Sequence, residues 1–91
     1  MKFIYRAHAI ERMFQRDIST ELVEEAIKKG KIIEEYLDDK PYPSFLVLYF
    51  DNLNRPIHVV CAKNKEEIII ITTYRPTKSK WGNNYQTRIL K

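Results

Sequence analysis

The chain has 91 residues, of which 44% are hydrophobic and 31% charged, the size and composition of one small domain spanning residues 1–91 with its own core. Two glycines and four prolines exclude a linker-rich chain, and the single cysteine, Cys61, excludes an internal disulfide. The net charge of +4, with no apolar run near the ~20 residues of a membrane helix and no secretory leader pattern, points to a cytoplasmic protein with no membrane role.

The spacing predicts a first helix over residues 5–15. His8, Arg12 and Arg16 fall four residues apart, and each step of four turns a side chain by roughly 40° around a helix, so the three stack along one face. Ile10, Met13 and Phe14 lie on another face and are expected to carry the packing. Ser19 reads as the N-cap of a second helix over residues 20–29, with Glu21 in its first turn and Ile18 and Val23 as a hydrophobic staple. Lys28 and Lys29 suit its end, and Gly30 the position just beyond.

Strand patterns follow at residues 31–37, 44–50, 56–62 and 67–74, separated by the turn sequences DDKPYP, DNLNR and KNK. The four isoleucines of EIIIITTY imply burial on both faces. Short turns imply antiparallel neighbours, so the expected class is α+β: two N-terminal helices packed on a four-stranded, mainly antiparallel sheet. Residues 76–91 show no period and are expected to form an ordered tail folded back on the domain.

Charge is unevenly spread. Residues 1–16 carry four basic groups and one acidic group, residues 17–39 three and eight, and residues 40–91 nine and three. If the two basic ends meet, they form a positive face suited to a phosphate-rich partner, with RNA the first to consider. His8 can move a proton near neutral pH or be a plain surface residue. His58, inside the third expected strand, is either a structural hydrogen-bonding residue or a second acid–base group. Arg12 and Arg16 suit a phosphate or the negative charge of a phosphoryl transition state, or are ordinary surface charges. Tyr74 can pack at the sheet edge, contact a phosphate or stack on a base. Trp81 can do the last or anchor the tail. Arg55, Arg75 and Arg88 are further candidates for RNA contact. Cys61 alternates with Val59 and Ile57 and is expected as core filler. With His58 and Cys61 three apart on an extended strand, no zinc signature arises. Neither a metal nor a cofactor is expected.

The strings HAIERMFQRDIS, YPSFLVLYF and RPIHVVCA, and the ending ITTYRP followed by Trp81 and Arg88, together resemble the domain-of-unknown-function family numbered 4258. Members of that family look like small RelE-like toxins of the barnase–colicin–RelE ribonuclease superfamily, some encoded beside small antitoxin-like proteins. The resemblance implies a helix–helix–sheet fold. It also implies His8, Arg12, Arg16, His58, Tyr74, Trp81 and Arg88 as the positions matching the family's pattern.

The expectation is therefore a toxin-like endoribonuclease that cleaves RNA without metal and is neutralised by a small antitoxin. His8 and His58 would divide proton transfer, Arg12 and Arg16 would hold the scissile phosphate, and Tyr74 would orient it. The alternative is a non-catalytic RNA- or protein-binding module of the same fold. Oligomeric state is left open, with an unpaired edge strand allowing a dimer.

Overall fold

The computed structural model describes residues 1–89. Three of the elements begin and end where the apolar spacing predicts, because their signals are local. Helix α2 (Thr20–Lys29) is capped by Ser19, whose Oγ accepts a 3.1 Å hydrogen bond from the Leu22 amide. Ile18 and Val23, the expected staple pair, are both buried. Strands β3 (Ser44–Phe50) and β5 (Glu67–Tyr74) also keep their predicted bounds, while β2 (Lys31–Tyr36) and β4 (Pro56–Asn64) differ by one or two residues at an end.

The expectation of four antiparallel strands needs correcting. A further strand, β1 (Lys2–Tyr5), pairs parallel with β5, giving a five-stranded mixed sheet in the order β1-β5-β4-β3-β2. Tyr5 therefore ends a strand, and helix α1 starts two residues later (Ala7–Gln15). Phe3 and Tyr5 alternate inward against the core, a period-two signal too short to stand out beside the helix that follows.

The packing face of α1 is also not the one expected. Of the three residues expected to pack, only Met13 is buried, together with Ala9, whereas Ile10 is 46% exposed and Phe14 88% exposed. A step of four keeps Ala9 and Met13 in line over the sheet, and Ile10 and Phe14 lie about 100° further round. Gly30 ends α2 with extended backbone rather than a left-handed turn. Its role is close approach: a Cβ there would lie 2.4 Å from the Ala26 carbonyl oxygen and 2.7 Å from that of Leu48.

The two helices cover one face of the sheet. α1 lies over β5, and α2 over β3 and β4. Between them and the sheet lie Val47, Ile57, Val59, Cys61, Ile68 and Ile70, all buried. The opposite face is covered by the C-terminal segment, which forms a single helical turn, α3 (Lys78–Trp81), and then runs on to Ile89. The tail is ordered as expected through residue 89, and residues 90 and 91 of it lie outside the described residues.

Candidate nucleic-acid interface

The cleft forms where β5 ends and the chain turns into α3. Tyr74, Arg75, Lys80, Trp81 and Arg88 line it together with Arg16 from the end of α1, around a volume of about 570 Å³. Four of these six are cations, and among the described residues no carboxylate lines it. Arg16 and Arg75 are each anchored by a single terminal nitrogen. Arg16 Nη1 donates to the Thr73 carbonyl at 2.8 Å. Arg75 Nη1 donates to Asp51 at 3.1 Å and to the Pro56 carbonyl at 3.2 Å. Asp51 also pairs with Arg55 at 3.1 Å. Burial raises the Asp51 carboxyl, but the amides of Arg55 and Leu53 and the two guanidiniums outweigh it and hold it below the usual range.

Arg88 is held differently. Its Nε and Nη2 grip both oxygens of Glu34 at 3.1 and 3.2 Å, Nη2 also donates to the Tyr36 hydroxyl at 3.3 Å, and the guanidinium lies 4.7 Å above the Trp81 ring. Burial raises the Glu34 carboxyl, yet hydrogen bonds from Arg88 and Tyr36 and the Arg88 charge lower it overall. Among the described residues, Arg16 and Lys80 are the two lining cations with no carboxylate partner. Their charge is unneutralised by any described carboxylate.

Behind the cleft wall stands His58, which is 0% exposed. Its Nδ1 lies 3.2 Å from the Tyr74 hydroxyl and its Nε2 lies 2.8 Å from the Tyr85 carbonyl oxygen. The Trp81 ring meets it edge-on at 4.5 Å. Burial lowers its pKa, the Tyr85 carbonyl and the Glu34 charge oppose that, and the Arg88 charge adds to it. The net direction is down. Tyr74 is half-buried, and burial raises its hydroxyl above the ordinary phenol range.

A β-bulge makes this pairing. Near the β4–β5 turn, Cys61 lies opposite Ile70 and Asn64 opposite Glu67. That register, continued, would set His58 opposite Thr73. The irregularity between Val60 and Cys61 shifts the register by one, so His58 faces Tyr74 instead. Because opposed residues share a face, the shift brings Tyr74 onto the side of the sheet that holds His58 and Trp81.

The histidine–arginine row of α1 thus divides. His8 stays exposed and Arg12 half-buried, with Arg12 Nε donating to His8 Nε2 at 3.3 Å, and neither lines the cleft. Arg16, at the C-terminal end of α1, bends across to β5 and does. Arg55 sits on the β3–β4 turn beside Arg75, tied to the same aspartate. Trp81 is buried, with His58 against its ring and Arg88 across its face, so it anchors the segment and presents no free stacking surface. Cys61 is buried in the helix-side core, and burial pushes its thiol up to about 11. Sequence reasoning passed over Lys80, Glu34, Tyr36 and the Tyr85 carbonyl. Glu34 and Tyr36 carried a signal, since period two sets them on one face. Lys80 carried none.

Residues 5–75 match the family described as a domain of unknown function (DUF4258). The chain belongs to this family. No curated protein and no solved structure matches it. The matched stretch holds both helices, β2 to β5 and the cleft residues Arg16, Tyr74 and Arg75, and it ends before α3 supplies Lys80 and Trp81. No group of three or more His, Cys, Asp or Glu side chains placed to hold a metal occurs among the described residues, and no helix there is long and apolar enough to cross a membrane.

Proposed function

We propose that the cleft binds the phosphodiester backbone of single-stranded RNA and that the chain is a toxin-like endoribonuclease with a small antitoxin as its partner. The observation that carries this reading is a concave site with four cations and, among the described residues, no acid around a tyrosine at a strand end. Arg16 and Lys80 would meet phosphate oxygens, since no described carboxylate pairs with them. Arg75 would add charge from a fixed position, as Asp51 and two backbone carbonyls hold one of its nitrogens. Tyr74 would contact the scissile group. His8 stands outside this scheme, and Arg12 with it.

A second reading, RNA binding without scission, is favoured by the two histidines. His8 does not line the cleft, and His58 has both ring nitrogens engaged inside the protein. The deciding experiment incubates the purified chain with a single-stranded RNA oligonucleotide in chelator. Cyclic-phosphate ends are expected, because the scheme uses proton transfer and fixed charge alone. Arg16→Ala is expected to weaken RNA binding and reduce its dependence on log salt by roughly one unit. Intact RNA with salt-sensitive binding selects the second reading. RNA that does not bind at all sinks both.

A further inference from the structure

His58 has no direct access to a ligand, yet its partners fix its chemical state. The Tyr85 carbonyl can only accept, so Nε2 must carry the proton it shares at 2.8 Å. In the neutral ring Nδ1 is then bare, and the Tyr74 hydroxyl donates to it at 3.2 Å. The tyrosine that lines the cleft thus points its own proton away from the cleft, into a buried base. Tyr85 adopts φ +59°, a left-handed conformation costly for a bulky side chain, and the residue held in that conformation is the one whose carbonyl fixes the imidazole.

We propose that His58 is a positioning residue that acts on bound RNA through Tyr74, as the store for one proton. The proposal rests on the cleft being an RNA-cleaving site. As the Tyr74 oxygen takes the proton of a ribose 2′-hydroxyl, the proton of Tyr74 passes to Nδ1 of His58. The freed 2′ oxygen forms its bond to phosphorus, and the bond from phosphorus to the 5′ oxygen breaks. Water protonates the leaving oxygen, and the imidazolium returns its proton through Tyr74 to the hydroxide left behind. While charged, His58 keeps its hydrogen bond to the Tyr85 carbonyl and feels the Glu34 carboxylate, which works against burial and the Arg88 charge. One tyrosine thereby serves as a base without first losing its proton to solvent.

The test compares the full chain with Tyr74→Phe, His58→Asn and the double variant on one single-stranded RNA oligonucleotide. Asparagine can accept from Tyr74 but cannot take its proton. Each single change is expected to slow cleavage about 100-fold with RNA affinity kept, and the double variant to be no slower than the slower single. The parent rate should also fall at acid pH, where His58 enters already protonated, and that limb should be missing in His58→Asn. The groups around His58 that set its position are Tyr74 from β5, Glu34 from β2 and Arg88 from the C-terminal segment. A His58→Asn rate equal to the parent's, or multiplying losses in the double variant, overturns the relay and leaves RNA cleavage standing. A parent that leaves RNA intact overturns the cleft reading and the relay with it. Nitrogen NMR of the parent gives a check that needs no variant to fold. A neutral ring with its proton on Nε2 is expected, and a proton on Nδ1 at neutral pH overturns the proposal.

Discussion

The two faces of the sheet are both covered, but by different chemistry. On the helix side, Ala9, Met13, Val23, Ile57, Val59 and Ile70 meet with apolar atoms alone. On the other side, Glu34, Tyr36, His58, Tyr74 and Trp81 meet through hydrogen bonds, ring edges and an arginine. The first arrangement tolerates changes that keep volume, because dispersion and burial have no fixed direction. The second depends on direction at each step, so one altered atom disturbs its neighbours. Both faces should contribute to stability, and ligand chemistry should follow from the second alone.

Trp81→Ala should have the largest effect on both properties. Loss of a buried indole at the cleft is expected to cost about 3–5 kcal/mol in urea unfolding and to weaken RNA binding per folded molecule as well. Ile57→Ala should separate the faces, with a cost of about 2–5 kcal/mol and RNA affinity per folded molecule unchanged. If Ile57→Ala weakens binding as much as Trp81→Ala does, the division between faces is wrong.

Acid should act on the polar face first. The folded state lowers the proton affinity of His58 below the ordinary value of 6.5, so the unfolded chain binds the proton first. The stability from keeping His58 neutral is complete above pH 6.5 and is lost as pH falls below it. Glu34 is also lowered, from 4.5, and its contribution fades only below that pH. Urea midpoints should decline in those two stages, and a flat profile between pH 7.5 and 5.5 would count against the buried neutral imidazole.

Glu34→Gln should cost less, under about 1 kcal/mol, because the Arg88 side chain is 56% exposed and the pair is partly screened. It should raise RNA affinity, since Arg88 loses its internal carboxylate. Smallest of all is the effect of a thiol reagent. Cys61, with its thiol pushed up to about 11 in the helix-side core, should react only as the protein unfolds.

Much of the helix side was legible in the sequence. Ser19, the apolar set of α2 and the alternation of Ile57, Val59 and Cys61 are local signals, and the fold uses them as written. The orientation of α1 was misjudged because Ile10 and Phe14 are more hydrophobic than Ala9, while the sheet has room for the smaller side chain. Strand β1 was missed because four residues gain their strand only by pairing with β5, more than sixty positions away. The polar face was the least readable part. His58 was visible as a strand residue, but its surroundings depend on a one-residue bulge and on a tail without period. Arg88 was noted as a cation, yet its partner Glu34 lies 54 positions earlier.

Strand β1 also bears on how the molecule is made. Its residues are synthesised more than sixty positions before their partners, Glu67 to Ile70. Helix α1 is in the same position, since it packs over β5. Until β5 is synthesised, Phe3, Tyr5, Ala9 and Met13 have no sheet to cover. These apolar side chains therefore stay uncovered until β5 has been made. Its structure closes in a late, cooperative step that joins the two ends of the fold.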